Sequence, residues 1–333
     1  MLRFAIGLQE RKNMKSSMYL RLPAVLLLVS FLCCAQKPVI FDTDMGNDVD
    51  DALALAILHS LSNRGECRLI GVTLTNANAS AVPYVRLFNT FYGRAGLPVG
   101  AAQKTIEGGA EDHYLSATLN SAPTRLQPKG LAHTEQAVPL LRRLLQASQE
   151  KVTIVQVGFS TNLAALLDSK PDSASPLSGM DLVREKVVLV AAMAGNFSDG
   201  KPEYNVKLDI PAARAFFERW PTPIVISGYE IGRDLLYPAE RIEHDFSYVS
   251  WHPAATSYRA YSKMPYNRPT WDLTAALQAV RGDHGYFEVS EKGKVQVESD
   301  GTTKFQGRRR KSSVSPPGSR QEIAGSGSPD YPE

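Results

Sequence analysis

The stretch VIFDTDMGNDVDDALALAIL, residues 39–58, places five aspartates (Asp42, Asp44, Asp48, Asp50 and Asp51) within ten positions. A short apolar run precedes them and an apolar run of helical period follows, which is the pattern of a buried strand feeding a helix. Like charges this close repel unless something compensates them. Asp50 and Asp51 open the helix, where free N–H groups and the helix dipole favour anions. Asp42, Asp44 and Asp48 have no such support. A bound hard cation supplies it, and an all-oxygen donor set suits Ca²⁺ or Mg²⁺ better than zinc.

Outward from this stretch the same alternation continues. RLIGVTL, LPVGAA, KVTIVQVG, KVVLVAAM and TPIVIS read as strands; AVPYVRLFNTFYGR, TEQAVPLLRRLLQAS, STNLAALLDS and IPAARAFFERW read as helices. Strands alternating with helices predict an α/β fold, a single domain over residues 36–300 with a mostly parallel central sheet flanked by helices. In such sheets ligands bind beyond the carboxyl ends of the strands. The polar groups just after each strand are therefore the ones to watch: Asp42–Asp51, Thr75–Asn78, Ser160–Asn162 and Ala194–Asn196. A long polar loop at residues 103–130 carries His113 and Tyr114.

The two ends differ from this body. Of the net charge of +3, residues 1–35 hold an excess of four positive charges and residues 301–333 an excess of three, so residues 36–300 hold an excess of four negative ones. An acidic body argues against a nucleic-acid partner, which would need its basic patch on the folded face. Basic residues up to Arg21 followed by LPAVLLLVSFLCCA read as a signal peptide over residues 1–35, cleaved after Ala35. This predicts export to the periplasm or beyond, with no membrane span after the leader is removed. A lipid anchor at Cys33 or Cys34 is the alternative. Without the leader Cys67 stands alone, so no internal disulfide is expected. Residues 301–333, rich in Ser, Pro and Gly, read as a disordered tail.

Two familiar aspartate motifs fail or fit poorly. An EF-hand loop starting at Asp42 needs Gly at its sixth position and Glu at its twelfth, where Asn47 and Leu53 stand. A haloacid-dehalogenase-like, Mg²⁺-dependent phosphatase would use Asp42 and Asp44 but leaves Asp50 and Asp51 without a role.

A third pattern fits closely. Asp-Thr-Asp-x-Gly followed by Asp-Asp-Ala-x-Ala resembles the N-terminal signature of the calcium-dependent nucleoside hydrolases, the inosine-uridine-preferring family. GVTLTNAN, VGFSTNLAALL, VVLVAAMAGN, PEYNVKLDIPAA and WDLTAAL resemble its later blocks, in order and as far as residue 280 or so. The resemblance implies hydrolysis of the N-glycosidic bond of ribonucleosides. It implies Ca²⁺ held by Asp44, Asp51, the backbone carbonyl of Thr161, and Asp272. It makes Asp50 the base that deprotonates water, and it sets Asn78, Met193, Glu203 and Asn205 around the ribose.

There are departures from the pattern. Asn47 and Asp48 lengthen the first motif by two residues, which leaves Asp48 as an alternative base. Trp271 stands where many members place a histidine, and a purine-preferring branch resembles this chain in having tryptophan there. Trp271 is then expected to stack on the nucleobase, with His113 as candidate acid for the leaving group. Glu203 and Asn205, two apart, are expected on one side of an extended segment. A calcium-dependent nucleoside-binding protein without catalysis is the reading from another class, and a homo-oligomer is compatible with either.

Overall fold

The computed structural model describes residues 36–128 and 134–307. The expected leader lies outside them, as does most of the expected tail. Seven strands, β1 (Lys37–Thr43), β2 (Cys67–Leu74), β3 (Val99–Ala101), β4 (Glu135–Gln136), β5 (Val152–Gln156), β6 (Val187–Met193) and β7 (Ile224–Ser227), form one sheet. Their order is β4-β3-β2-β1-β5-β6-β7, and every pairing is parallel. The predicted α/β architecture with a central parallel sheet is the observed one.

The helices are α1 (Asp50–Asn63), α2 (Ala81–Phe91), α3 (Leu115–Ser121), α4 (Ala137–Ala147), α5 (Thr161–Asp168), α6 (Gly179–Lys186), α7 (Tyr204–Leu208), α8 (Ile210–Arg219), α9 (Tyr229–Asp234), α10 (Ala239–Asp245), α11 (Pro253–Tyr261) and α12 (Trp271–Arg281). The period-2 rule of a strand shows how β1 is sandwiched. Val39 and Phe41 join a core built with α1, α2, α11 and α12, while Ile40 between them joins a second core with α4, α5, α6 and α8. Burial on both faces is why β1 reads as a continuous apolar run. Each fully buried Leu, Val or Ile side chain contributes about 1.5–3 kcal/mol to holding these layers together.

The order of strands places the site. From β1 the chain builds outward through β2, β3 and β4 on one side, then returns to start β5 on the other. The crevice between β1 and β5 is thus the topological switch point, where loops from adjacent strands diverge and leave room for a ligand. The aspartate stretch emerges from β1 there.

Two features depart from expectation. In place of a tail beginning at residue 301, β10 (Gly293–Val297) and β11 (Thr303–Gly307) form an antiparallel hairpin. Its Val297 packs with Ala194, Val206 and Ala213, and Thr303 is buried, so the folded unit extends past the expected boundary. The loop at 103–130 contains α3, whose Leu115 and Thr118 are buried. A further two-stranded ribbon, β8 (Leu236–Tyr237) against β9 (Arg268–Pro269), leads directly into α12.

Candidate active site

Beyond Thr43 the chain makes a sharp turn before α1. Gly46 holds a φ of 132°, and a Cβ there would meet the Glu111 carbonyl oxygen at 2.5 Å, so both conformation and space require glycine. This turn sets Asp44 after the strand and Asp50 and Asp51 in the first turn of α1. The N-terminus of α12 arrives opposite, with Asp272 in its own first turn. The Asp272 backbone N–H donates to Asp50 Oδ2 at 3.0 Å, tying the two helix starts together. Thr43 Oγ1 donates to Asp51 Oδ1.

Asp44, Asp50, Asp51 and Asp272 are all buried. Asp50, Asp51 and Asp272 each bring a carboxylate oxygen within 4.8 Å of the others. Burial, and then mutual repulsion, pushes the pKa of these three well above the ordinary carboxylate range, and burial raises Asp44 to about 8. Among the described residues no cationic side chain hydrogen-bonds to any of the four. Converging, buried, all-oxygen and unneutralised, this set fits a hard divalent cation such as Ca²⁺.

Asp42 belongs to the scaffold. It is wholly buried and accepts from Thr73 Oγ1 at 2.6 Å and Asn162 Nδ2 at 2.8 Å; burial raises its pKa to about 7. A residue so enclosed cannot be the attacking nucleophile that the phosphatase reading requires. That reading is dropped.

An open cavity of about 430 Å³ lies over the carboxylates. Of the residues singled out from the sequence, Asp44, Asp50, Asp51, Asp272, Met193, Glu203, Asn205 and Trp271 line it. Glu203 does not sit on an extended segment with Asn205, as the two-residue spacing suggested. It caps α7, accepting from the backbone N–H groups of Asn205 at 2.8 Å and Val206 at 3.2 Å, and from Gly195 at 2.9 Å. Asn205 follows inside the helix, and its Nδ2 donates to the carbonyls of Val157 at 2.8 Å and Met193 at 3.2 Å. One amide thus links the ends of β5 and β6 beneath the cavity.

Three candidates lie elsewhere. Thr161 begins α5, so its carbonyl points along that helix, and its hydroxyl donates to Asp209 at 2.6 Å. The residue just after β5 that does line the cavity is Val157. Asn78 lines a separate hollow and donates to the carbonyls of Ala110 and Glu111. His113 pairs with Glu111 at 2.6 Å, with both side chains about half exposed, and does not line the cavity.

Arg268, Asp48 and Tyr229 were not legible as a group. Arg268, on β9, lines the cavity and forms a bidentate pair with Asp48, Nε reaching Oδ1 at 2.8 Å and Nη2 reaching Oδ2. Its guanidinium lies 5.0 Å from the Tyr261 ring centre and 5.3 Å from that of Trp271. Tyr229 stacks on Trp271 at 5.4 Å, and the indole N–H donates to the Tyr229 carbonyl at 2.8 Å. Asp48 is thereby committed to Arg268, whereas Asp50 lies among the other carboxylates.

A sequence profile described as inosine-uridine preferring nucleoside hydrolase matches residues 39–319. A pyrimidine-specific ribonucleoside hydrolase RihA from Citrobacter koseri is 28% identical over 218 residues, covering 62% of this chain and 64% of the relative. The RihA of Salmonella enteritidis is 30% identical over 216 residues, with the same coverage. The chain thus spans a little under two thirds of the length of these curated relatives. Among solved structures, an inosine-uridine preferring nucleoside hydrolase from Bacillus anthracis superposes with a TM-score of 0.64 at 21% identity, over 82% of this chain and 92% of that one. The plant nucleoside hydrolase PpNRh1 gives 0.63 at 22% identity, over 81% and 87%.

Proposed function

We propose that this chain, which belongs to the inosine-uridine preferring nucleoside hydrolase family, hydrolyses the N-glycosidic bond of ribonucleosides to ribose and free base. The observation that carries the proposal is the convergence of Asp50, Asp51 and Asp272, with Asp44 buried on the same cavity and no cationic side chain among the described residues hydrogen-bonded to any of them. Asp44, Asp51 and Asp272, which line the cavity, would hold Ca²⁺. When bound, the cation supplies positive charge that lowers the pKa of a neighbouring water.

The chain's own residues account for the remaining chemistry. Asp50 is the base that takes the proton from the attacking water, because Asp48 is held by Arg268. Glu203 and Asn205, fixed by backbone hydrogen bonds, offer an acceptor and an amide to ribose hydroxyls, with Met193 packed beside them. As the bond from C1′ to the base breaks, its electron pair leaves with the base and positive charge develops on the sugar. The carboxylate-rich floor stabilises that charge. Trp271 and Arg268, at the rim beside Asp272, are placed to meet the base.

For the size of the base we favour a purine, supported by the wide aromatic rim of Trp271 and Tyr229. The names of the RihA relatives favour a pyrimidine instead. Export follows from the leader read at residues 1–35 and belongs to this proposal as well. Among the described residues no helix is long and apolar enough to cross a membrane.

Ribose release from a panel of purine and pyrimidine nucleosides, with and without chelator, tests this function. Calcium-dependent release is expected, with purines ahead. Tight nucleoside binding without any product would instead identify a binding protein.

A further inference from the structure

The Arg268 group has a function that ion pairing with Asp48 does not exhaust. A guanidinium carries five N–H groups. The pair with Asp48 takes two, on Nε and Nη2. At least two N–H groups are left for a ligand. The side chain is about a quarter exposed, lines the cavity, and packs against the rings of Tyr261 and Trp271. Bidentate pairing and ring contacts together fix the plane of the guanidinium, so its remaining donors have a set direction.

The position within the cavity identifies what those donors face. Arg268 lines the same cavity as the aspartates but is about a quarter exposed where Asp50, Asp51 and Asp272 are buried, so it lies nearer solvent than the carboxylate floor. If ribose hydroxyls occupy the floor, the group beyond C1′ on this side is the base. This step rests on the hydrolase reading above.

We infer that Arg268 recognises the departing base by donating hydrogen bonds to the carbonyl oxygen at C6 of a purine or C4 of a pyrimidine, so that the chain selects bases with an oxo group there (hypoxanthine, guanine, uracil) over those with an amino group there (adenine, cytosine). When the C1′–N bond breaks, the electron pair moves onto the base and delocalises to that oxygen. The guanidinium stabilises the negative charge without giving up a proton, and the proton that finally neutralises the base comes from water. An exocyclic amino group at the same place presents a donor to a donor, leaving both unpaired.

The test is kcat/KM for inosine against adenosine, and for uridine against cytidine, in the parent protein and in Arg268→Gln, with nitrophenyl riboside as a substrate whose leaving group has no ring carbonyl. Within the pair whose ring size the site accepts, the parent should prefer the oxo-base by at least about tenfold, the usual scale for one bidentate arginine contact. A glutamine amide both donates and accepts, so Arg268→Gln should bring that preference to within about threefold. Nitrophenyl riboside turnover should fall much less than inosine or uridine turnover.

A parent without oxo-base preference, or equal losses on every substrate, would overturn the inference. If Arg268→Gln fails to fold because Asp48 is left unpaired, Asp48→Asn combined with Arg268→Gln removes both charges, and the same ratios decide. A parent that cleaves none of these ribosides refutes the hydrolase reading itself, and the recognition role falls with it.

Discussion

Asp50 and Asp51 are adjacent in sequence but have different partners. Asp51 is bonded through Thr43 to the end of β1, whereas Asp50 receives the backbone N–H of Asp272 from the other helix start. Asp51→Ala or Asp272→Ala removes a charged oxygen donor from the cluster and should abolish calcium binding by calorimetry together with turnover. Asp50→Asn keeps shape and size but removes the proton acceptor, so kcat should drop at least about 10²-fold while calcium still binds. If Asp48→Asn gave that phenotype and Asp50→Asn did not, the assignment of the base would be reversed. The aspartates were legible because they are local, five within ten residues. Arg268 was not, because its partner Asp48 lies 220 residues away, and no spacing rule joins them.

At the scale of elements, the six longer parallel strands were readable because burial on both faces demands uninterrupted apolar runs. β4 was missed: it is two residues, Glu135 and Gln136, at the sheet edge, with no apolar signal. The β10–β11 hairpin was missed for a related reason. Most of its side chains are exposed, so GKVQV and TKFQG do not announce themselves, yet Thr303 anchors it by accepting from the Asn196 backbone N–H at 3.0 Å. Glu203 and Asn205 both line the cavity, but a helix cap brings them there in place of the extended segment expected from their spacing. Gly46 tests how strictly the β1–α1 turn is built. Gly46→Ala puts a Cβ into the Glu111 carbonyl at an unfavourable φ and should cost about 1–3 kcal/mol in denaturant unfolding. It should also weaken calcium binding, because Asp44 and Asp50 flank the same turn. Unchanged stability would mean that the turn relaxes freely.

At the scale of the whole molecule, the fold gathers acidic groups from β1, α1 and α12 into one buried site, and this sets how calcium and pH act together. In the calcium-free protein, burial raises Asp44 to about 8 and holds Asp50, Asp51 and Asp272 well above their ordinary range. A carboxyl whose folded pKa is raised contributes stability that is fully present below its unfolded pKa, near 3.8, and is lost as pH rises through the folded value. The calcium-free protein should therefore lose the contribution of Asp44 between about pH 4 and pH 8, and those of Asp50, Asp51 and Asp272 as pH rises from the same lower limit through their own raised values. Calcium binding requires the same carboxylates to be ionised, so it displaces protons and tightens as pH rises. The increase in melting temperature produced by a fixed calcium concentration should accordingly be small near pH 5 and grow steadily toward pH 8. Asp272→Asn should flatten that growth by removing one titrating ligand. Differential scanning calorimetry with and without calcium across this range reads both effects. A calcium shift that is the same at pH 5 and pH 8 would show that the buried aspartates are not the groups that hold the cation.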